Sequence, residues 1–364
     1  MTIQEITKYL ENFAPRLTQE NYDNSGLICG NPDEAVRGVI LTLDCIESVV
    51  DEAISKSCNL IIAHHPIVFK GLKSFTGANY VERTIIKAIK NNIAILAMHT
   101  NLDNYRFGVN YKIGQKLNLQ NIKILAPKTD NQLKIVVYVP KQHAERLRIA
   151  MNEAGAGRIG NYDYCSYSTE GKGTFRALEG ANPFVGSHGK LHSENETKIE
   201  MVIRQEHLGE VLRAIKSIHP YEEVAYDLIP LSNEDPYQGA GMYGELDSPM
   251  NTSEFLTMLK EKFNCGIIKH TVLCKSEIQR VAFCGGSGSF LMQKAKQVNA
   301  DIFISSDYKY HEFFDAEGQI IIADIGHYES EQFTSEIIAD LLKEKNITFA
   351  IHSTETNTNP VKYF

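Results

Sequence analysis

GVILTLDCIESVVDEAISKSCNLIIAHHP, residues 38–66, decides the fold. Its first seven residues, GVILTLD (38–44), form a short apolar run rich in strand formers. IESVVDEAISKS (46–57) then switches to helical spacing, and NLIIAHH (59–65) returns to a strand pattern. A helix around 79–91 and the strand IAILAMHT (93–100) extend the same rhythm. Strands alternating with helices predict β-α-β units and a largely parallel sheet.

The C-terminal part repeats this order without repeating the residues. RVAFCGG (280–286), SFLMQKAKQVN (289–299), DIFISSD (301–307) and GQIIIAD (318–324) read as strand, helix, strand and strand. The expected class is therefore α/β, a duplicated, mostly parallel-sheet domain spanning 1–126 and 236–364. Between these parts the pattern differs. KIVVYVPKQHAERLRIAMNEAG (134–155) and KIEMVIRQEHLGEVLRAIKSIH (198–219) share one layout, an apolar strand, a polar joint and an amphipathic helix. With EVAYDLIPL (223–231) they predict a ferredoxin-like α+β domain. Pro127 and the Asp235–Pro236 step mark its edges, so residues 127–235 read as an insertion.

Composition narrows the function classes. Of the 364 residues 43% are apolar and 23% charged, as in a globular protein with a sizeable core. The formal charge of −8 and the lack of a basic block argue against a nucleic-acid partner. No apolar run is long enough for a membrane span, and MTIQEITKYLENF reads as an amphipathic helix rather than a signal peptide. The seven cysteines are scattered, with no CxxC pair. Cys29, Cys45, Cys58 and Cys284 fit as buried small hydrophobes in a reducing cytoplasm.

In open α/β sheets ligands gather beyond the carboxyl ends of the strands. Four ends here carry ionisable groups. His64 and His65 close one strand just before Pro66, where strand alternation lapses and both imidazoles can serve one site. HTNLD (99–103) offers Asp103 as an oxygen ligand and His99 as a ligand or an orienting group. SSDYKYHE holds Asp307 and His311, read either as outer groups and proton carriers of the same pocket or as surface residues. GHYESE places His327 and Glu331 four apart, on one face of any helix beginning there. Two divalent cations on His64, His65, Asp103, His327 and Glu331 would outweigh the two carboxylates and attract an anionic substrate. Glu331, with two oxygens, is the better bridging ligand. The loop GGSGS (285–289) fits phosphate binding at a helix start or simply a tight turn.

The segments YDNSGLICG (22–30), AHHPIVF (63–69), HTNLD (99–103), GGSGS (285–289), DYKYHE and IGHYESE together resemble the Nif-three-like family, also called the GTP cyclohydrolase I type 2 family. The middle part, with HPYEEVAYDLIPL, looks like the PII-like insert of the longer bacterial members. Tyr22 stands where the family usually has tryptophan. The resemblance implies a dinuclear metal site on His64, His65, Asp103, His327 and Glu331, and a toroidal homohexamer. Zinc is the first expectation, with iron or manganese also suited. The reaction it suggests is metal-dependent hydrolysis of a nucleotide or another phosphorylated small molecule; the alternative is a non-enzymatic metal-binding regulator or adaptor.

Overall fold

The computed structural model describes residues 1–345 and 347–364, which divide into two compact units, 1–127 with 236–364, and 128–235. In chain order the strands are β1 (Gly26–Cys29), β2 (Gly38–Thr42), β3 (Leu60–Ala63), β4 (Ala94–Ala97) and β5 (Gln120–Pro127) in the first segment. The second unit contributes β6 (Gln132–Pro140), β7 (Tyr167–Arg176), β8 (Leu191–Arg204) and β9 (Tyr226–Leu231). The returning segment adds β10 (Gly239–Asn251), β11 (Lys269–His270), β12 (Glu277–Ser287), β13 (Ile302–Ser306), β14 (Ile321–Asp324) and β15 (Ala350–Ser353).

The larger unit holds two sheets, ordered β1-β4-β3-β2-β15 and β11-β14-β13-β12-β10-β5. Every residue of β2, β3 and β4 is buried, which is why these strands read as unbroken apolar runs. Helices Glu47–Ser55 and Tyr80–Lys90 cover one face of the first sheet, packing Val49, Val50, Ala53, Ile85 and Ala88 against Ile40, Ile61 and Ile95. The opposite face shares one core with the second sheet. There Leu41, Ile62 and Leu96 join Phe283, Ile304 and Ile321, with Ile6, Ile113, Phe255 and Ile338 from helices between the sheets.

The expectation of a mostly parallel architecture needs correction. β4-β3-β2-β15 and β14-β13-β12 are parallel, but β1, β5, β10 and β11 all pair antiparallel, so both sheets are mixed. The antiparallel strands carry glycine, charge and partly exposed positions, so they lack the continuous apolar signature of the buried ones. Each half also lends a strand to the other: β15 completes the first sheet beside β2, and β5 completes the second beside β10. β4 stops at Ala97 rather than continuing to Thr100, because residues Thr100–Asp103 form a helical turn.

The second unit, 128–235, runs strand-helix-strand-strand-helix-strand in the antiparallel order β7-β8-β6-β9, a ferredoxin-like succession. Helices Ala144–Glu153 and Leu208–Ile218 bury Leu147, Met151, Val211 and Ile215 against Ile135, Val137, Ile199 and Met201. Among the described residues no helix is long and apolar enough to cross a membrane.

One carboxylate ties the end of the chain to the first sheet. Glu52 accepts hydrogen bonds from Thr354 Oγ1 at 2.6 Å, Glu355 N at 3.0 Å, Thr356 Oγ1 at 2.9 Å and Lys56 Nζ at 2.9 Å. Burial would raise its pKa, but these donors overcome that and hold it down at about 2. A depressed folded-state pKa contributes stability above the ordinary carboxylate range and loses it as pH falls toward about 2. Glu52→Gln should therefore destabilise the protein by about 1–3 kcal/mol at neutral pH. Thermal melts should show the gap to the unmutated chain narrowing as pH falls from 5 toward about 2.

Candidate metal centre

The carboxyl ends of β3 and β4 in one sheet and of β13 and β14 in the other deliver their side chains to one place. The backbone N–H of His64 and of His65 still donate to Thr42 and Leu43 oxygens, at 3.1 and 3.0 Å, so the strand end is held to its neighbour up to Pro66. His327 and Glu331 occupy the helical turn His327–Glu331, and their i, i+4 spacing brings His327 Nε2 to 3.0 Å from Glu331 Oε2.

Each imidazole is fixed through its Nδ1. His64 Nδ1 lies 2.7 Å from the Met98 carbonyl, His65 Nδ1 2.7 Å from Asp44 Oδ1, and His99 Nδ1 2.7 Å from Asp23 Oδ1. His327 Nδ1 lies 2.6 Å from Asp307 Oδ2. With Nδ1 engaged, Nε2 is the atom each ring has left to offer a metal ion. The Nε2 atoms of His64, His65 and His327 turn to the same point. His65 Nε2 lies 3.0 Å from Glu331 Oε2 and 3.2 Å from His327 Nε2; His64 Nε2 lies 3.5 Å from Asp103 Oδ1 and 3.8 Å from Glu331 Oε2.

Three overlapping groups could each hold a metal ion: His65, His327 and Glu331; His64, Asp103 and Glu331; and His64, His65 and His99. Glu331 belongs to two of them. Among the described residues, His64 Nε2 and Asp103 Oδ1 are buried without a hydrogen-bond partner. Buried polar atoms are normally satisfied, and two facing lone pairs cannot satisfy each other. A cation between them supplies what both lack, so the donor set fits a metal.

The ionisable groups of the cluster act strongly on one another. Burial lowers the His64 pKa to about 4, so the ring is neutral at pH 7. Burial opposes charge on His65 and His327 as well. The Asp44 and Glu331 carboxylates nevertheless raise His65 to about 9, and Glu331 with Asp307 raises His327 to about 11. Burial and the nearby Glu331 charge push Asp103 well up. Glu331 goes down despite its burial, because His327, His64 and His65 surround it. The two carboxylates move in opposite directions because they share one buried point, Glu331 beside the imidazoles and Asp103 beside the Glu331 charge.

The structure brings His64, His65, His99, Asp103, Asp307, His327 and Glu331 together. It does not bring His311. That ring is exposed, packs on Tyr310 and Phe314 in a 3₁₀ segment and, among the described residues, belongs to none of the groups that could hold a metal ion. Asp44 and Asp23 complete the outer ring and were not among the sequence-predicted site residues. Asp44 ends the run GVILTLD, so the strand-end rule that selected the others also applies to it. Asp23 is held by Thr100 N at 3.0 Å as well as by His99, which stops β4 and starts the turn carrying Asp103.

The glycine-rich loop serves closeness. Gly286 has φ +62°, and a Cβ there would fall onto Glu331 Oε1. The amides of Gly285 and Gly286 are already committed to Asn110 Oδ1 and Ser330 Oγ, each at 2.9 Å. A cavity of about 490 Å³ adjoins the centre, lined by His65, Phe69, Lys269, His327, Tyr328 and Tyr363 among others.

Fold and site together define an α/β protein with a histidine–carboxylate centre built across the ends of two sheets. The chain belongs to the Duf34/NIF3 (NGG1p interacting factor 3) family, whose sequence model matches residues 1–360. It is 37% identical, over the full length of both chains, to a Staphylococcus epidermidis protein called GTP cyclohydrolase 1 type 2 homolog. A Bacillus subtilis protein of the same name is 36% identical, over 99% of this chain and 98% of its own. The crystal structure of a Bacillus cereus protein related to NIF3 superposes with a TM-score of 0.85 at 36% identity, covering 100% of this chain and 99% of that one.

Asp44→Asn keeps the shape beside His65 and removes the charge that orients it. Metal affinity, measured by competition with a chromophoric chelator, should fall about 10- to 100-fold. An unchanged affinity would remove Asp44 from the centre.

Proposed function

We propose that this protein is a metal-dependent hydrolase of a nucleotide or another phosphorylated small molecule, with two divalent ions held by His64, His65, Asp103, His327 and Glu331. The observation that carries the reading is the pair of partnerless buried atoms, His64 Nε2 and Asp103 Oδ1, beside a carboxylate shared by two ligand groups. Zinc suits this set of nitrogen and oxygen donors, as do iron(II) and manganese. Bound there, divalent ions would polarise an electrophile and make water more acidic.

The chain's own residues supply the rest. His99, oriented by Asp23, is placed to move a proton at Nε2. Asp307 and Asp44 hold His327 and His65 in position. Lys269, paired with Asp324 at 2.6 Å and lining the cavity, offers a positive charge to an anionic substrate. Phe69, Tyr328 and Tyr363 give that cavity aromatic walls. The relatives' name makes GTP the first compound to try. A soluble toroidal homohexamer in the cytoplasm, with no nucleic-acid or membrane partner, is part of the same proposal.

A second reading is a metal-dependent regulator, in which residues 128–235 act as a PII-like sensory insert. The separate core of that unit favours it. A nucleotide panel assayed with metal-loaded protein separates the two. Under the hydrolase reading, His99→Ala lowers kcat about 100-fold or more with metal content unchanged, and Glu331→Ala loses both metal and turnover. If Glu331→Ala matched the unmutated chain on every active substrate, the hydrolase reading would fail. A large chelator-induced drop in Tm, without turnover on any substrate, supports the regulator.

A further inference from the structure

The second unit has a cavity of its own, about 440 Å³, unrelated to the metal centre. Phe175, Phe184 and Tyr221 wall it, with Phe175 and Tyr221 ring centroids 5.9 Å apart and Phe184 and Tyr221 6.4 Å apart. Glu196, Glu222 and Glu223 line it against a single cationic side chain, Arg176. The walls are fixed from behind. His219 is buried, accepts from Tyr221 N at 3.1 Å through Nδ1, and therefore donates from Nε2 to the Tyr138 carbonyl at 2.8 Å. The Tyr221 hydroxyl donates to Glu196 Oε1 at 3.0 Å. Glu222 accepts from Asn182 N at 2.7 Å, which holds the 177–184 loop as the far wall. Gly173 gives the Glu196 carboxylate its room, since a Cβ there would overlap it.

Aromatic rings and an excess of carboxylates lining one cavity are matched to an organic cation. A preformed apolar cavity with a few placed polar groups is matched to a small molecule. We propose that this cavity is a second ligand site, taking a small molecule with a flat or apolar body and a guanidinium, amidinium or ammonium head directed at Glu196. Phe184 and Tyr221 enclose the body, and Tyr221 orients the carboxylate that meets the charge.

Benzamidinium, benzamide and benzoate share one shape and differ in charge, so they test the proposal with the full-length, metal-loaded protein by calorimetric titration. Benzamidinium should bind once per chain, about tenfold or more tighter than benzamide, with benzoate silent. Glu196→Gln keeps an acceptor for Tyr221 and should erase the preference for the cation; Phe184→Ala should weaken cation and neutral compound alike. Glu223→Gln, at an exposed position, should reduce the preference without touching the fold. Glu331→Ala should leave benzamidinium binding intact, which separates this site from the metal centre. Equal affinity for benzamide and benzamidinium, or a preference that survives both Glu196→Gln and Glu223→Gln, overturns the proposal.

Discussion

The centre depends on burying the carboxylate of Glu331. Its residue is 3% exposed, and an ionised carboxylate removed from water costs several kcal/mol unless its surroundings compensate. Two imidazoles raised toward the charged form provide that compensation, His65 and His327, each at 3.0 Å. One comes from the first sheet and one from the second. The charge is therefore buried where the carboxyl ends of β3 and β14 meet.

The strand exchange supports such a meeting point. If each half formed its own closed sheet, the two could slide along a shared apolar core, since hydrophobic contact has no direction. β15 hydrogen-bonds beside β2, and β5 beside β10, so each sheet contains backbone from the opposite end of the larger unit. Backbone ladders have a fixed register, and a slip of one residue would reverse every side chain. The exchange thus converts a sliding contact into a fixed one, consistent with ligand atoms that lie within 4.8 Å of one another in each group.

The legible part of the fold was the part whose signal is local. β2, β3, β13 and β14 are buried on both faces and announce themselves as apolar runs; His64 and His65 announce themselves by ending one. The antiparallel strands left no such trace. β10 contains Gly239, Gly241 and Gly244, and it is a strand because β12 and β5 flank it rather than because its residues prefer to be one. The outer ring of the site was hidden for a related reason. Asp44 meets His65 from 21 positions away and Asp23 meets His99 from 76, and no spacing rule connects such pairs before the sheet exists. The sequence leaves His311 as either a proton carrier of the pocket or a surface residue, and its ring is exposed. Its i, i+4 relation to Asp307 suggested a shared helical face, but Asp307 has φ +59° and the segment after it is 3₁₀, so that face never forms.

The glycine loop, which the sequence leaves as a phosphate cradle or a tight turn, has its first two amides engaged within the fold. A strand running through glycines into a helical turn resembles a phosphate cradle, and a cradle needs free amides. Here the Gly285 and Gly286 amides are spent on Asn110 and Ser330, and Ser330 is in turn bonded to the His327 carbonyl at 2.8 Å. The loop is therefore fastened to the very turn that carries His327 and Glu331. Its glycines let the backbone pass against Glu331 with no side chain between them, and its amides fix that turn. Under the proposed function, an anionic ligand would meet the charge of Lys269 across the cavity rather than the Gly285 and Gly286 amides. Charge is long-ranged and tolerant of ligand shape, whereas an amide cradle is neither.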